Sequence, residues 1–240
     1  MADSELNPKQ KVGVEAADRL VKSGMRIGMG TGSTAMWAIR RIGERISAGE
    51  ISGIIAVVTS SQSEAECFRA GIAPTTLADP RIDARLDLVI DGADEIDPAG
   101  RLIKGGGAAL VREKVVAYNA ERVAITVTRD KHVSALGIAF PVPVEVVPFA
   151  VATVSRELSS RGFEYTVREG SGKMGPVVTD NGNHILDVRL DGRGDPTALE
   201  GELECIPGVV GCGIFAQRTF DLFTAEPDGS VSYAAAGDLS

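Results

Sequence analysis

From residue 25 to residue 127 the hydrophobic pattern switches repeatedly between two periods, and this alternation narrows the fold more than any other feature. Residues 25–29, 54–58, 86–90 and 123–127 are short apolar runs, and Ile54-Ile55-Ala56-Val57-Val58 is almost wholly β-branched. Continuous runs of this kind suit strands covered on both faces. The intervening segments 35–46, 62–70 and 108–119 read as helices, and in the first of them Ala35, Ile39, Ile42 and Ile46 fall at helical spacing. A further helix over 11–23 carries Val12, Ala16, Leu20 and Val21 on one face, with Gly24 as its stop. Strands alternating with helices imply an α/β domain with a mostly parallel sheet.

Beyond Pro141, Pro143 and Pro148 the pattern changes. Strands are expected over 142–147, 163–168, 177–179, 184–190 and 209–215, with a helix over 149–161. Asn181-Gly182 is a hairpin turn, and Asp195-Pro196 opens a helix that runs to Glu204. The order βαββαβ is that of a ferredoxin-like α+β unit. The expected division is therefore 1–134 with 211–240 as the α/β domain, and 135–210 as a smaller second domain suited to oligomerisation. The strands near 221–233 return to the first domain.

Charge and composition exclude several classes of function. A formal net charge of −8 opposes general affinity for nucleic acid or anionic membrane, although a few placed donors still suffice for a small anion. Three cysteines without a CxxC pair and two isolated histidines argue against a disulfide framework or a zinc site. No apolar run approaches the ~20 residues of a membrane span. The polar opening MADSELNPKQK lacks the apolar segment of a signal peptide, so the expected compartment is cytoplasmic. Glycine is in excess, 28 of 240 residues, without a Gly-X-Y period. The excess must serve turns and close backbone approaches.

Three motifs collect those glycines. Gly28-Met29-Gly30-Thr31-Gly32-Ser33-Thr34-Ala35 joins a strand to a helix, where backbone N–H groups and hydroxyls can hold an anion. It also fits a dinucleotide fingerprint, but the next strand ends in Thr59-Ser60-Ser61 rather than in a ribose-binding acid. A monophosphate site is the better reading. Asp91-Gly92-Ala93-Asp94-Glu95-Ile96-Asp97 follows the strand 86–90, at the end where α/β sheets bind ligands. Asp91 and Asp94 read as functional there, Glu95 and Asp97 as a solvated acidic turn. Lys104-Gly105-Gly106-Gly107-Ala108-Ala109-Leu110-Val111-Arg112-Glu113-Lys114 sets three glycines before a helix, a cradle for an anion with Lys104 as a mobile cation at its mouth. Glu113 lies on the apolar face of that helix. A desolvated general base with a raised pKa and a surface ion pair both fit it at this point.

In this order the three motifs resemble ribose-5-phosphate isomerases of the A type. The likeness continues through Lys9, Lys131, Pro141–Val146, Val178–Asn183 and Ile206–Val210, with departures at 168–176 and beyond Tyr233. The resemblance implies a Rossmann-like catalytic domain, a ferredoxin-like second domain, and interconversion of D-ribose 5-phosphate and D-ribulose 5-phosphate in the pentose phosphate pathway. It implies no metal and no organic cofactor; the apolar-rich small second domain suits assembly as a homodimer or homotetramer. Glu113 would be the base, with Asp91, Asp94 and Lys104 as further catalytic groups. Thr31, Gly32, Ser33, Thr34, Gly92, Ala93, Gly105, Gly106, Gly107, Lys9 and Lys131 would complete the sugar-phosphate site. The rival readings are a sugar-phosphate deaminase or CoA transferase on a similar fold, and a non-catalytic sugar-phosphate sensor. A kinase is disfavoured because no nucleotide loop follows the glycines.

Overall fold

The alternation is present in the computed structural model, which describes residues 7–172 and 174–238. The first six residues of the polar opening lie outside these. Helix α1 (Pro8–Leu20) starts at Asn7, whose side chain accepts the N–H of Gln10, with Pro8 inside the first turn. Strand β1 (Arg26–Met29), helix α2 (Ala35–Ser47), strand β2 (Ile55–Val58), helix α3 (Ser61–Arg69), and strands β3 (Pro74–Thr75) and β4 (Leu86–Asp91) follow. Two-residue strands β5 (Glu95–Ile96) and β6 (Leu102–Ile103) precede α4 (Leu110–Tyr118) and the long β7 (Ala120–Thr128). Then come β8 (Val142–Val146), α5 (Val151–Ser160), β9 (Glu164–Val167), β10 (His184–Arg189), α6 (Pro196–Glu204), β11 (Val209–Cys212), β12 (Ile214–Phe215), β13 (Asp221–Ala225) and β14 (Val231–Ala234).

The chain divides into two units. One comprises residues up to Gly92, Arg112–Lys131 and the segment from Thr219; the other comprises Ala93–Val111 and His132–Arg218. The segment 135–210 lies inside the second unit, which also takes in the stretch from Ala93 to Val111.

In the first unit seven strands form one sheet in the order β14-β13-β7-β4-β1-β2-β3, parallel except for β14. Counted along the chain, its six parallel strands take the order 3-2-1-4-5-6 of a doubly wound, Rossmann-like sheet. The winding reverses between β1 and β4, so the loops after these two strands face each other across a crevice. Val12, Ala16 and Leu20 of α1, Ile39 and Ile42 of α2, and Ile27, Leu88 and Ile90 of the strands share one core.

The second unit holds an antiparallel sheet in the order β11-β8-β10-β9, the strand order of a ferredoxin-like βαββαβ unit. Its core joins Val142, Val144 and Val146 to Val154, Leu158, Leu199 and Leu203 of the two helices. Two local expectations change here. The run 209–215 is two strands, because the chain leaves β8 at Gly213 and pairs Ile214-Phe215 with β6 instead. Residues 177–179 form no strand: the Val177 N–H goes to the Arg168 carbonyl and the Thr179 N–H to the Asn183 carbonyl, closing a loop. That loop is held by Glu145, fully buried, whose Oε1 accepts from Thr179 and from the side-chain amides of Asn181 and Asn183.

Glu95 and Asp97 are not a solvated turn. Both are buried, at 1% and 4% exposure. Glu95 accepts the N–H groups of Gly137 (2.6 Å), Ala139 (2.8 Å) and Phe140 (2.6 Å), anchoring a loop more than forty residues away. Asp97 accepts from the Ala99 and Arg101 backbone and pairs with the Arg101 guanidinium at 2.7 Å. A buried carboxylate persists only with such partners.

Two predictions follow from this packing. Glu95→Gln leaves buried N–H groups facing a weaker acceptor and should lower the unfolding free energy in urea by roughly 3 kcal/mol; an unchanged midpoint would contradict the anchor. Burial, with the neighbouring Glu66 and Glu64 charges, pushes the Cys67 thiol up to about 12. Its thiolate is thus suppressed throughout the range where an ordinary cysteine ionises, near 8.5. In native protein at pH 8, exposed Cys205 should be the fast-reacting thiol, with Cys67 and Cys212 reacting only on unfolding. A rate for Cys67 that levels off near pH 9 would show an ordinary thiol instead.

Candidate active site

In the first unit the crevice between β1 and β4 is organised around Asp91, which is 2% exposed. Its Oδ1 accepts the N–H of Thr31 at 3.1 Å, from the loop after β1, and that of Gly92 at 2.8 Å. Its carbonyl accepts the Thr126 hydroxyl from β7. Gly30 must be glycine, because a Cβ there would lie 2.3 Å from Asp91 Oδ1. The Thr31 hydroxyl is buried in a cluster with Thr59 (2.7 Å) and Ser60 (2.6 Å) at the end of β2. Gly32 donates its N–H to Gln62, and the Ser33 hydroxyl accepts from Lys9 Nζ at 2.9 Å.

The loop leads to the start of α2 at Thr34. Asn7, Ser60 and Asp195 cap α1, α3 and α6 with side-chain bonds, whereas Thr34 makes none. The start of α2 thus keeps the positive end of its dipole beside the loop's hydroxyls and Lys9. Lys131 follows β7 at the carboxyl end of the same sheet, 3.8 Å from Asp130. The Thr128 hydroxyl, aided by Lys131 and Lys9, holds the Asp130 carboxyl below its ordinary value. Lys9 and Lys131 therefore act on one electrostatic neighbourhood.

Glu113 is buried at 4% exposure in the first turn of α4. This helix is the crossover from β4 to the parallel β7, so it runs back against the strands and begins at their carboxyl ends. Val116, one turn on, packs beside Gly28 of β1, which fixes the face that Glu113 shares. Burial takes Glu113 off the surface.

The second unit carries the other motif residues. The Asp94 N–H bonds to the Ile103 carbonyl, and Asp94 Oδ2 accepts the N–H of Gly106 at 2.8 Å. A Cβ on Gly106 would lie 2.6 Å from Asp94 Oδ1, so the contact requires glycine. The glycine loop closes on itself through the Ala108 N–H and the Gly105 carbonyl, so α4 starts at Leu110 rather than at residue 108. Lys104 is not mobile at a loop mouth. It is 3% exposed, its N–H bonds to Gly213, and its ammonium lies 5.8 Å from the Phe215 ring centre. The pairing of β6 with β12 buries it.

Thr31, Gly32, Ser33, Thr34, Lys9, Asp91, Gly92, Lys131 and Glu113 thus belong to the first unit. Ala93, Asp94, Lys104, Gly105, Gly106 and Gly107 belong to the second, and the boundary cuts both acidic and lysine–glycine motifs. Thr59, Ser60 and Gln62 join the loop after β1 although their motif marks no site; hydroxyl and amide groups at a strand end were the available signal. Arg168 is likewise unmarked, and its Nη1 reaches the carbonyls of Gly105 (2.8 Å) and Gly106 (3.2 Å). Among the described residues no group of three or more His, Cys, Asp or Glu is placed to hold a metal ion, and no helix is long and apolar enough to cross a membrane.

Residues 55–229 match the sequence profile of Ribose 5-phosphate isomerase A (phosphoriboisomerase A). The chain belongs to this family. It is 51% identical over 213 residues to ribose-5-phosphate isomerase A of Thermosynechococcus vestitus, covering 89% of each chain. The solved ribose 5-phosphate isomerase A of Methanocaldococcus jannaschii superposes with a TM-score of 0.88 at 41% identity, over 95% of this chain and 98% of that one. A D-ribose-5-phosphate isomerase solved in complex with phospho-erythronic acid gives 0.88 at 37% identity, over 96% and 100%. The family match covers the acidic and lysine–glycine motifs, whereas the phosphate-type loop at 28–35 precedes the matched region.

The close approach at Gly30 gives a direct test. Gly30→Ala should displace the Asp91 carboxylate and cost roughly 1–3 kcal/mol of stability, the usual range for overpacking. A crystal structure of the variant and its urea midpoint read both effects. An unmoved Asp91 at unchanged stability would show that the crevice is looser than its geometry implies.

Proposed function

We propose that the protein interconverts D-ribose 5-phosphate and D-ribulose 5-phosphate through a cis-enediolate, with Glu113 as the general base. The observation that carries this reading is the arrangement in the first unit. Buried carboxylates Asp91 and Glu113 stand at the carboxyl ends of the parallel strands together with a hydroxyl-rich loop, an uncapped helix start and two lysines. That set matches a substrate with a phosphate at one end and a proton to be moved at the other. Phospho-erythronic acid, present in a related isomerase's structure, has the same pattern: a phosphate and a planar anionic carboxylate.

The reaction is balanced without any co-reactant. In the open-chain aldose, Glu113 takes the proton from C2, the C2–H electrons form the C1=C2 bond, and the C1 carbonyl oxygen becomes the oxyanion. A proton passes from O2 to O1, Glu113 returns its proton to C1 on the same face, and C2=O forms. Lys104 and the N–H groups of the glycine loop stabilise the enediolate, for which donors fixed before charge develops are the most effective. Asp91 and Asp94 hold sugar hydroxyls and assist opening of the furanose ring. Thr31, Gly32, Ser33 and Thr34, with Lys9 and Lys131, hold the phosphate, and this remote binding positions the reacting carbons. Neither a metal nor an organic cofactor enters the scheme.

The same reading assigns the enzyme to the pentose phosphate pathway in the cytoplasm, and to a homodimer or homotetramer. Phe149, 99% exposed, with half-exposed Val147 and Val210 on the second unit, supports association through that unit.

The deciding experiment follows ketose formation from ribose 5-phosphate with excess chelator present. Turnover is expected, and its absence or its loss to chelator would overturn the proposal. Glu113→Gln should lower kcat by roughly 100- to 10,000-fold while leaving KM nearly unchanged. It should equally stop wash-in of solvent deuterium at the transferred position. A variant with unchanged kcat would remove Glu113 from the chemistry.

A further inference from the structure

Arg168 grips the glycine loop from the carbonyl side. Its Nη1 donates to the carbonyls of Gly105 at 2.8 Å and Gly106 at 3.2 Å. The rest of the guanidinium is engaged by Asp187, through Nε to Oδ2 at 2.9 Å and Nη2 to Oδ1 at 2.5 Å. The Arg168 backbone is fixed on both sides, its N–H on the Ile185 carbonyl and its carbonyl on the Val177 N–H. Both charged side chains are largely buried, at 14% and 16% exposure. A cross-strand ion pair by itself would need only Asp187; the added bonds to two successive loop carbonyls are the unusual feature.

In a trans peptide the carbonyl and the following N–H point in opposite directions. Holding the Gly105 carbonyl therefore aims the Gly106 N–H, and holding the Gly106 carbonyl aims the Gly107 N–H. The first consequence is visible: the Gly106 N–H donates to Asp94 Oδ2 at 2.8 Å. One peptide group thus carries a guanidinium at its oxygen and a carboxylate at its N–H. Each charge polarises the peptide in the sense that strengthens the bond to the other.

We infer that Arg168, anchored by Asp187, is a positioning residue that acts through the peptides of Gly105, Gly106 and Gly107 to orient Asp94 and the Gly107 N–H towards the substrate. The assignment of those groups to a pentose phosphate rests on the function proposed above; the alignment of the loop does not. Arg168 lies just after β9, yet its side chain reaches back some sixty residues to the loop.

Two measurements separate these parts. In ligand-free protein labelled with 15N-glycine, Arg168→Lys, Arg168→Ala and Asp187→Asn should shift the Gly106 amide proton upfield and speed its exchange by roughly tenfold. On ribose 5-phosphate the same variants should lose roughly 10- to 100-fold in kcat with KM nearly unchanged. Added guanidinium ion should restore part of the Arg168→Ala rate. Arg168→Lys should stay impaired, since one ammonium cannot span two carbonyls and a carboxylate. A purely structural role predicts lower thermal stability without guanidinium rescue and without loss of kcat in folded Arg168→Lys. An unmoved Gly106 amide, or a moved amide with wild-type kcat, overturns the inference. If Arg168→Ala does not fold, Arg168→Lys and Asp187→Asn decide. If wild-type protein does not isomerise ribose 5-phosphate, the proposed function falls and the amide shifts alone judge the loop alignment.

Discussion

A buried carboxylate at the end of a parallel strand needs hydrogen-bond donors, and at Asp91 the backbone supplies them. The N–H groups of Thr31 and Gly92 satisfy its Oδ1, which ties the loop after β1 to the loop after β4 at the point where the sheet reverses its winding. Much else in the first unit follows from that junction. Gly30 is excluded from having a side chain, and the Thr31 backbone is committed to Asp91. The Thr31 hydroxyl then turns into the Thr59–Ser60 cluster, leaving Ser33, Lys9 and the start of α2 at the outer edge of the loop.

The second unit uses carboxylates in the same way but for a different end. Glu95 gathers three N–H groups of the 137–140 loop, Glu145 holds the 179–183 loop, and Asp187 fixes the guanidinium that grips the glycine loop. Such groups give direction that apolar packing lacks, because a charge-assisted hydrogen bond is both stronger and narrower in geometry than a dispersion contact. They also account for part of the net charge of −8. Those carboxylates sit in the interior against fixed backbone, side-chain and guanidinium donors. In the proposed function, recognition of a phosphate rests on local donors rather than on the overall field of the protein.

The strands of the parallel sheet were legible because a continuous apolar run of four or five residues has few other places to go. β1, β2 and β4 lie within a residue or so of their expected ends, and the α2 and α6 starts were marked by alanine-led periodicity and by Asp195-Pro196. β3, β5 and β6 were invisible, since two residues carry no period. Val177–Thr179 looked like a strand from its β-branched side chains, but its hydrogen bonds close a loop instead. At Gly213 one apolar run is shared between two sheets, a choice made by what lies alongside it.

The candidate site divides in the same manner. Its chemical groups, the glycine loops, Asp91, Asp94, Lys104 and Glu113, could be named from residue types and spacing, because each motif is contiguous and its local conformation is encoded nearby. Which charges serve as anchors was settled only by folding. Glu95 and Asp97 read as solvent-facing and are buried; Lys104 read as mobile and is packed beside Phe215; Arg168 read as the last residue of a strand and holds the glycines. The partners are remote along the chain: Asp91 finds Thr31 across 60 residues, Glu95 finds Gly137 across 42, and Arg168 finds Gly105 across 63. Periodicity and motif spacing report on neighbours along the chain. A carboxylate's partner is set by which segments the core brings alongside it, and that information exists only in three dimensions.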